Sequence, residues 1–191
     1  ARKVDASAGN TTHPGGASYD LAGHTYQQGW VQNAAGVFFH NWYGFGAVNV
    51  DAAVAMAKNA YTLLGPLVTK EAESSNNLNL SIPDNSATGV TSTLTISDNL
   101  KIESVEITFS ITHALTSDLG LELTSPQGTK SIIMNINSGI IQNDFDNARM
   151  ITNAFLDESS NGTWTLKAID GHATNTGTLT YWKVKINGHS G

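Results

Sequence analysis

The chain has 191 residues, of which 40% are apolar and 14% charged, and a formal net charge of −6 at pH 7. That length fits one domain or a domain plus an appendage, and the lack of any cysteine excludes disulfides and thiolate zinc sites. The charge is uneven. Residues 1–70 carry four Lys/Arg and three Asp/Glu, whereas residues 71–191 carry six and thirteen. The acidic second half argues against nucleic acid as a partner, since a phosphate backbone requires a basic patch, and is compatible with cation binding.

No apolar run approaches the ~18 residues of a membrane span, and Ala1–Asn10 has no apolar core of the kind a signal peptide needs. The start at Ala1, without methionine, reads as the middle of a longer chain. "GNTTHPGGASYD" (Gly9–Asp20) is loop, while "GWVQNAAGVFFHNWYGFG" (Gly29–Gly46) is too aromatic for a free loop and must pack on something. A helix follows. Asn49 is placed to cap it, Asp51 sits in its first turn, and Val50, Ala53, Val54, Ala57 and Tyr61 fall on one face. That small-residue face suits close packing against a larger body. Gly65-Pro66 ends the helical region, and the polar stretch 65–77 reads as a linker.

From Leu78 the apolar period changes to two. Val105, Ile107, Phe109 and Ile111 alternate with Glu106, Thr108, Ser110 and Thr112. Leu119, Leu121 and Leu123 repeat the pattern, as do Trp164, Leu166 and Ala168, and then Trp182, Val184 and Ile186. Turn signals such as "PDNS", "SPQGT" and "SSNGT" separate the runs. Short strands spaced this way predict an all-β, two-sheet jelly-roll β-sandwich over residues 78–191. Trp164 and Trp182 are expected in its core.

Four signatures stand in register within this region. They are Ile-Thr-His followed by Asp-Leu (Ile111–Leu119), Ser-Pro-x-Gly-Thr (Ser125–Thr129), Gly-Thr-Trp-Thr-Leu (Gly162–Leu166) and Gly-Thr-Leu-x-x-Trp (Gly177–Trp182). Residues 78–191 therefore resemble the P domain that follows the catalytic domain of kexin- and furin-like subtilisin-type serine proteases. The family usually has glycine before the Asp-Leu pair; this chain has Ser117. Residues 1–64 are similar to the C-terminal tail of the α/β subtilisin-like catalytic domain. There "ARKVD" (Ala1–Asp5) resembles the segment after the nucleophile helix, and "HNWYGFGAVNVDAAVAMA" (His40–Ala57) resembles the opening of the last helix.

The resemblance implies a C-terminal portion of a secreted serine endopeptidase. Its P domain aids folding, stability and calcium or pH dependence, and its partners are its own upstream catalytic domain and the protein or peptide substrate. A module binding polymeric protein such as collagen is the alternative, and it requires an exposed aromatic patch. No catalytic residue is expected here. The Gly-Thr pairs run on as "GTK", "GTW" and "GTL", none of them into the nucleophile serine, and a Ser-His-Asp mechanism needs all three members for its full rate. His113, Ser117 and Asp118 lie too close together to form a triad, and "THALTSD" has neither an elbow nor a helix start.

The acidic turns are the candidate metal ligands. Asp118 follows a strand, "NDFDN" carries Asp144 and Asp146, and "DES" carries Asp157 and Glu158. Calcium takes six to eight oxygens, mostly from carboxylates and carbonyls, so a structural calcium at one end of the sandwich is the cofactor these residues suggest. Their spacing is not that of an EF-hand loop.

Overall fold

The computed structural model describes residues 20–59 and 64–190. Strands β1 (Val31–Gln32) and β2 (Phe38–Phe39) form a small hairpin, followed by helix α1 (Val50–Asn59). Nine further strands follow: β3 (Val68–Glu73), β4 (Leu80–Ile82), β5 (Ser86–Ile96), β6 (Leu100–Thr112), β7 (Leu119–Thr124), β8 (Lys130–Met134), β9 (Phe145–Thr152), β10 (Gly162–Asp170) and β11 (Gly177–Ser190). The segments read as Ala1–Asp5 and Gly9–Tyr19, and the helix-face residue Tyr61, lie outside the described residues.

The strands make two antiparallel sheets. One runs β5-β10-β7-β8; the other runs β3-β11-β6-β9, with β4 also paired to β11. The period-two residues point between them. Val105, Ile107, Phe109 and Ile111 of β6, Leu119, Leu121 and Leu123 of β7, and Val184 and Ile186 of β11 are all fully buried. Trp164 of β10 and Trp182 of β11 enter this core from opposite sheets. Each indole N–H finds an acceptor, the Ser160 carbonyl at 3.1 Å and Ser92 Oγ at 2.8 Å, which is what allows an indole to be buried at little polar cost. The Trp164 ring also meets Phe155 edge-on at 5.1 Å.

Two segments differ from the sequence reading. The polar stretch assigned to a linker over 65–77 contains β3, an edge strand paired with β11 from Glu73–Lys183 to Val68–Gly188. Its composition is polar because alternate residues of an edge strand face water. The sandwich therefore begins at Val68, ahead of the Leu78 where the period becomes legible. "NDFDN" is not a free turn either: Phe145 is buried against Phe109 and opens β9, which pairs with β6.

Residues 21–41 lie across the sandwich as a strap. Leu21 and Tyr26 pack with Ile136 and Ile169 in a second, smaller core outside the main one. Helix α1 is capped by Asn49, whose Oδ1 accepts the Ala52 N–H at 3.0 Å. Its described side chains are all exposed, with Val50 at 65% and Met56 at 65%.

Candidate functional site

The strap's seat is built from side chains that satisfy distant backbone groups. Asn33 is buried; its Nδ2 donates to the Ala154 and Leu156 carbonyls at 3.0 and 2.8 Å, while its Oδ1 accepts the Ala35 and Val37 N–H groups. Glu158 Oε1 accepts the Ala34 N–H at 2.9 Å and also the Thr129 hydroxyl. At the open edge of β8, Gln28 Oε1 accepts the Ile132 N–H and Asn41 Nδ2 donates to the Ile132 carbonyl. An exposed strand edge invites pairing with another chain, so these two side chains shield it. A cavity of about 320 Å³ remains between Phe39 of the strap, Trp42 just beyond it, and Ile133 of β8 and Ile151 of β9.

The second cluster sits at one end of the sandwich. His113 directly follows β6, Asp118 closes a 3-10 turn (Thr116–Asp118) and Asp170 ends β10. All three are buried, and their ligand atoms lie within 4.8 Å of one another. His113 Nε2 lies 3.1 Å from Asp170 Oδ2, and Nδ1 lies 2.7 Å from the Leu115 carbonyl. Burial pushes the Asp170 carboxyl above its ordinary range, against the pull of the His172 N–H and the His113 ring. Ser117 Oγ bonds Asp118 Oδ1 at 3.3 Å, so no Ser-His contact forms and the local trio makes no triad. Ser117 stands in the 3-10 turn with φ outside the left-handed region. No glycine is required there, which is why serine fits.

The five sequence-predicted ligands do not share a site. Of them, only Asp118 belongs to the one group of three among the described residues whose atoms sit at metal-binding spacing. Asp144 Oδ1 accepts the His113 N–H at 2.7 Å, Asp146 bonds the neighbouring Asn147 side chain, Asp157 is exposed, and Glu158 is buried under the strap. Asp170 completes the buried cluster and escaped the sequence reading because it sits at the end of an apolar strand, 52 residues from Asp118. His24, Asn33 and Gln28 were also missed, since their partners lie more than 100 residues away.

The aromatic side chains of the sandwich are inward. Phe109, Phe145, Phe155, Trp164 and Trp182 are buried, and Tyr181 hydrogen-bonds Glu73 at 2.8 Å. The exposed aromatics belong to the strap and its continuation, with Trp42 at 65% and Tyr43 at 46%.

An antiparallel sandwich with buried tryptophans on β10 and β11, and a polar strap interlocked with one side, defines an all-β module. The proprotein convertase P-domain family model matches residues 102–186, and over that span the chain bears out its resemblance to the family. It is 33% identical over 158 residues to an extracellular serine protease of Aeromonas sobria, covering 75% of this chain and 25% of that protein. It is 26% identical over 170 residues to human neuroendocrine convertase 2, covering 83% of this chain and 26% of that protein. A solved serine protease of Aeromonas sobria, in complex with its chaperone, superposes with a TM-score of 0.76 at 27% identity, covering 96% of this chain and 36% of that one. The chain thus spans about a quarter to a third of the length of these relatives. Among the described residues no helix is long and apolar enough to cross a membrane.

Proposed function

We propose that this chain is the C-terminal part of a secreted subtilisin/kexin-like serine endopeptidase, and that its sandwich is a non-catalytic module that stabilises the protease body. The observation that carries the reading is the interlock of Asn33 and Ala34 with Ala154–Glu158. A segment resembling the end of a catalytic domain is held by the sandwich through buried hydrogen bonds. The exposed face of α1 that carries Val50 and Val54 supports it further. Such a face is suited to the upstream catalytic body, where burial contributes about 25 cal/mol per Å². The catalytic serine, histidine and aspartate belong to that body. The name of the Aeromonas sobria relative supports secretion.

Deleting residues 68–191 from the parent protease is the test. Lower yield of folded enzyme, or faster loss of activity on heating, is expected; unchanged yield and half-life would sink the reading. The acidic second half supports calcium sensitivity as a further part of the proposal. The melting temperature is then higher in calcium than in EDTA, and equality removes that part.

A further inference from the structure

We propose that residues 21–41 form an acid-released strap, in which protonation of His24 and His40 detaches this segment while the sandwich stays folded.

His24 is 3% exposed. Its Nε2 lies 3.3 Å from Asn135 Oδ1, and the same Asn135 gives its Nδ2 to the Tyr26 carbonyl at 2.9 Å. The amide orientation is therefore set, and Nε2 must be the donor. Nδ1 is left enclosed with no partner. A proton added there becomes a buried N–H without an acceptor. His40 is fully buried and has the opposite arrangement. Its Nδ1 accepts the Trp42 N–H at 3.0 Å, so the neutral ring carries its proton on Nε2, which is enclosed without a partner. A second proton would face the Trp42 N–H, donor against donor. Both rings are thus built to be neutral.

The surroundings agree. Burial, joined by Lys167 and Lys130, outweighs the Asn135 hydrogen bond and the Glu122 charge and holds the His24 ring below its ordinary 6.5. His40 is packed among Trp30, Trp42 and Tyr43, and burial lowers it as well. A histidine lowered by folding contributes stability above pH 6.5 that is lost as pH falls through its folded value. Histidines of the sandwich are placed differently. His113 faces Asp170 and His189 faces Glu103, carboxylates at 3.1 and 3.2 Å, whereas His24 Nδ1 and His40 Nε2 are enclosed without a partner. Acid therefore acts on the strap first. The strap links the sandwich to the residues that precede it, so its release uncouples the two.

Hydrogen exchange of the full chain, corrected for intrinsic rates, tests this at about pH 7.5 and about pH 5.5. Peptides within 21–41 are expected to lose protection by about tenfold or more at the lower pH, while β6, β10 and β11 keep theirs. The double variant His24→Gln with His40→Asn retains the donor toward Asn135 and the acceptor toward Trp42. It is expected to keep its strap protected at both values. Equal protection of the unaltered strap at both pH values overturns the proposal, as does loss of protection in the double variant to the same extent. Should that variant be unprotected already at the higher pH, imidazole titrations of the unaltered chain decide. Titration of both rings below 6.5, with the strap amides shifting in step, supports the device; titration at or above 6.5 overturns it.

Discussion

Glu158 Oε1 accepts the backbone N–H of Ala34 at 2.9 Å, across 124 residues of chain. The carboxylate is 2% exposed and also holds the Thr129 hydroxyl. One side chain thereby joins the strap, the Ser125–Thr129 turn and the loop before β10.

Replacing that carboxylate tests the joint. Glu158→Ala leaves the Thr129 hydroxyl buried without its acceptor and the Ala34 N–H with only the Thr129 Oγ1 at 3.2 Å, at a cost of about 1–3 kcal/mol. Urea denaturation measures the loss. Faster exchange of the Ala34 amide, with little change in β6 and β11, locates it.

The core indoles set the sandwich's stability. Trp182→Ala removes a fully buried ring and the Ser92 partner of its N–H. A loss of about 3–5 kcal/mol is expected for a large aromatic truncated in a packed core. Chemical denaturation of the variant checks it; a cost below about 1 kcal/mol would mean that this core is not close-packed.

The strap shields surface that the sandwich cannot cover alone. Without residues 1–67, Ile136 and Ile169 lose Leu21 and Tyr26, and Ile132 on the β8 edge loses both Gln28 and Asn41. A chain starting at Val68 is expected to melt lower and to self-associate through that edge. Size-exclusion chromatography against concentration reads the association, and a monomer with unchanged melting temperature refutes it.

Tyr181 offers a pH prediction at the alkaline end. Burial, the hydrogen bond to Glu73, and the charges of Glu73 and Glu71 push its phenol up to about 12. A phenol raised above its ordinary value contributes stability below pH 10 that is lost as pH rises through about 12. Among the five tyrosines, burial also raises Tyr26, and Tyr181 should ionise late in an ultraviolet titration. Glu73→Gln should move it part of the way back toward 10, since burial remains.

Much of the molecule was legible in the residues themselves. Alternation along Val105–Ile111, Leu119–Leu123 and Trp182–Ile186 is a local property of each strand, because neighbouring side chains point to opposite faces. Turn residues between the runs are local too, as is the Asn49 cap, which depends on a backbone group three residues away. Fold class and family signatures followed from these. Edge strands did not. β3 alternates half-buried with exposed residues and β9 opens on exposed polar ones after Phe145, so they read as linker and turn until pairing with β11 and β6 defines them.

The sites lay further out of reach. A carboxylate in a turn looks alike in sequence whether it faces water, as Asp157 does, or sits under a strap, as its neighbour Glu158 does. His113, Asp118 and Asp170 become one cluster only where the ends of β6 and β10 meet. The sequence by itself determined the strands, the turns and the sandwich they form, since those rest on residues close together in the chain. Tertiary structure alone decided which polar groups are buried and what they meet. Those partners are set by packing across as many as 124 residues, and no local pattern encodes a contact of that range.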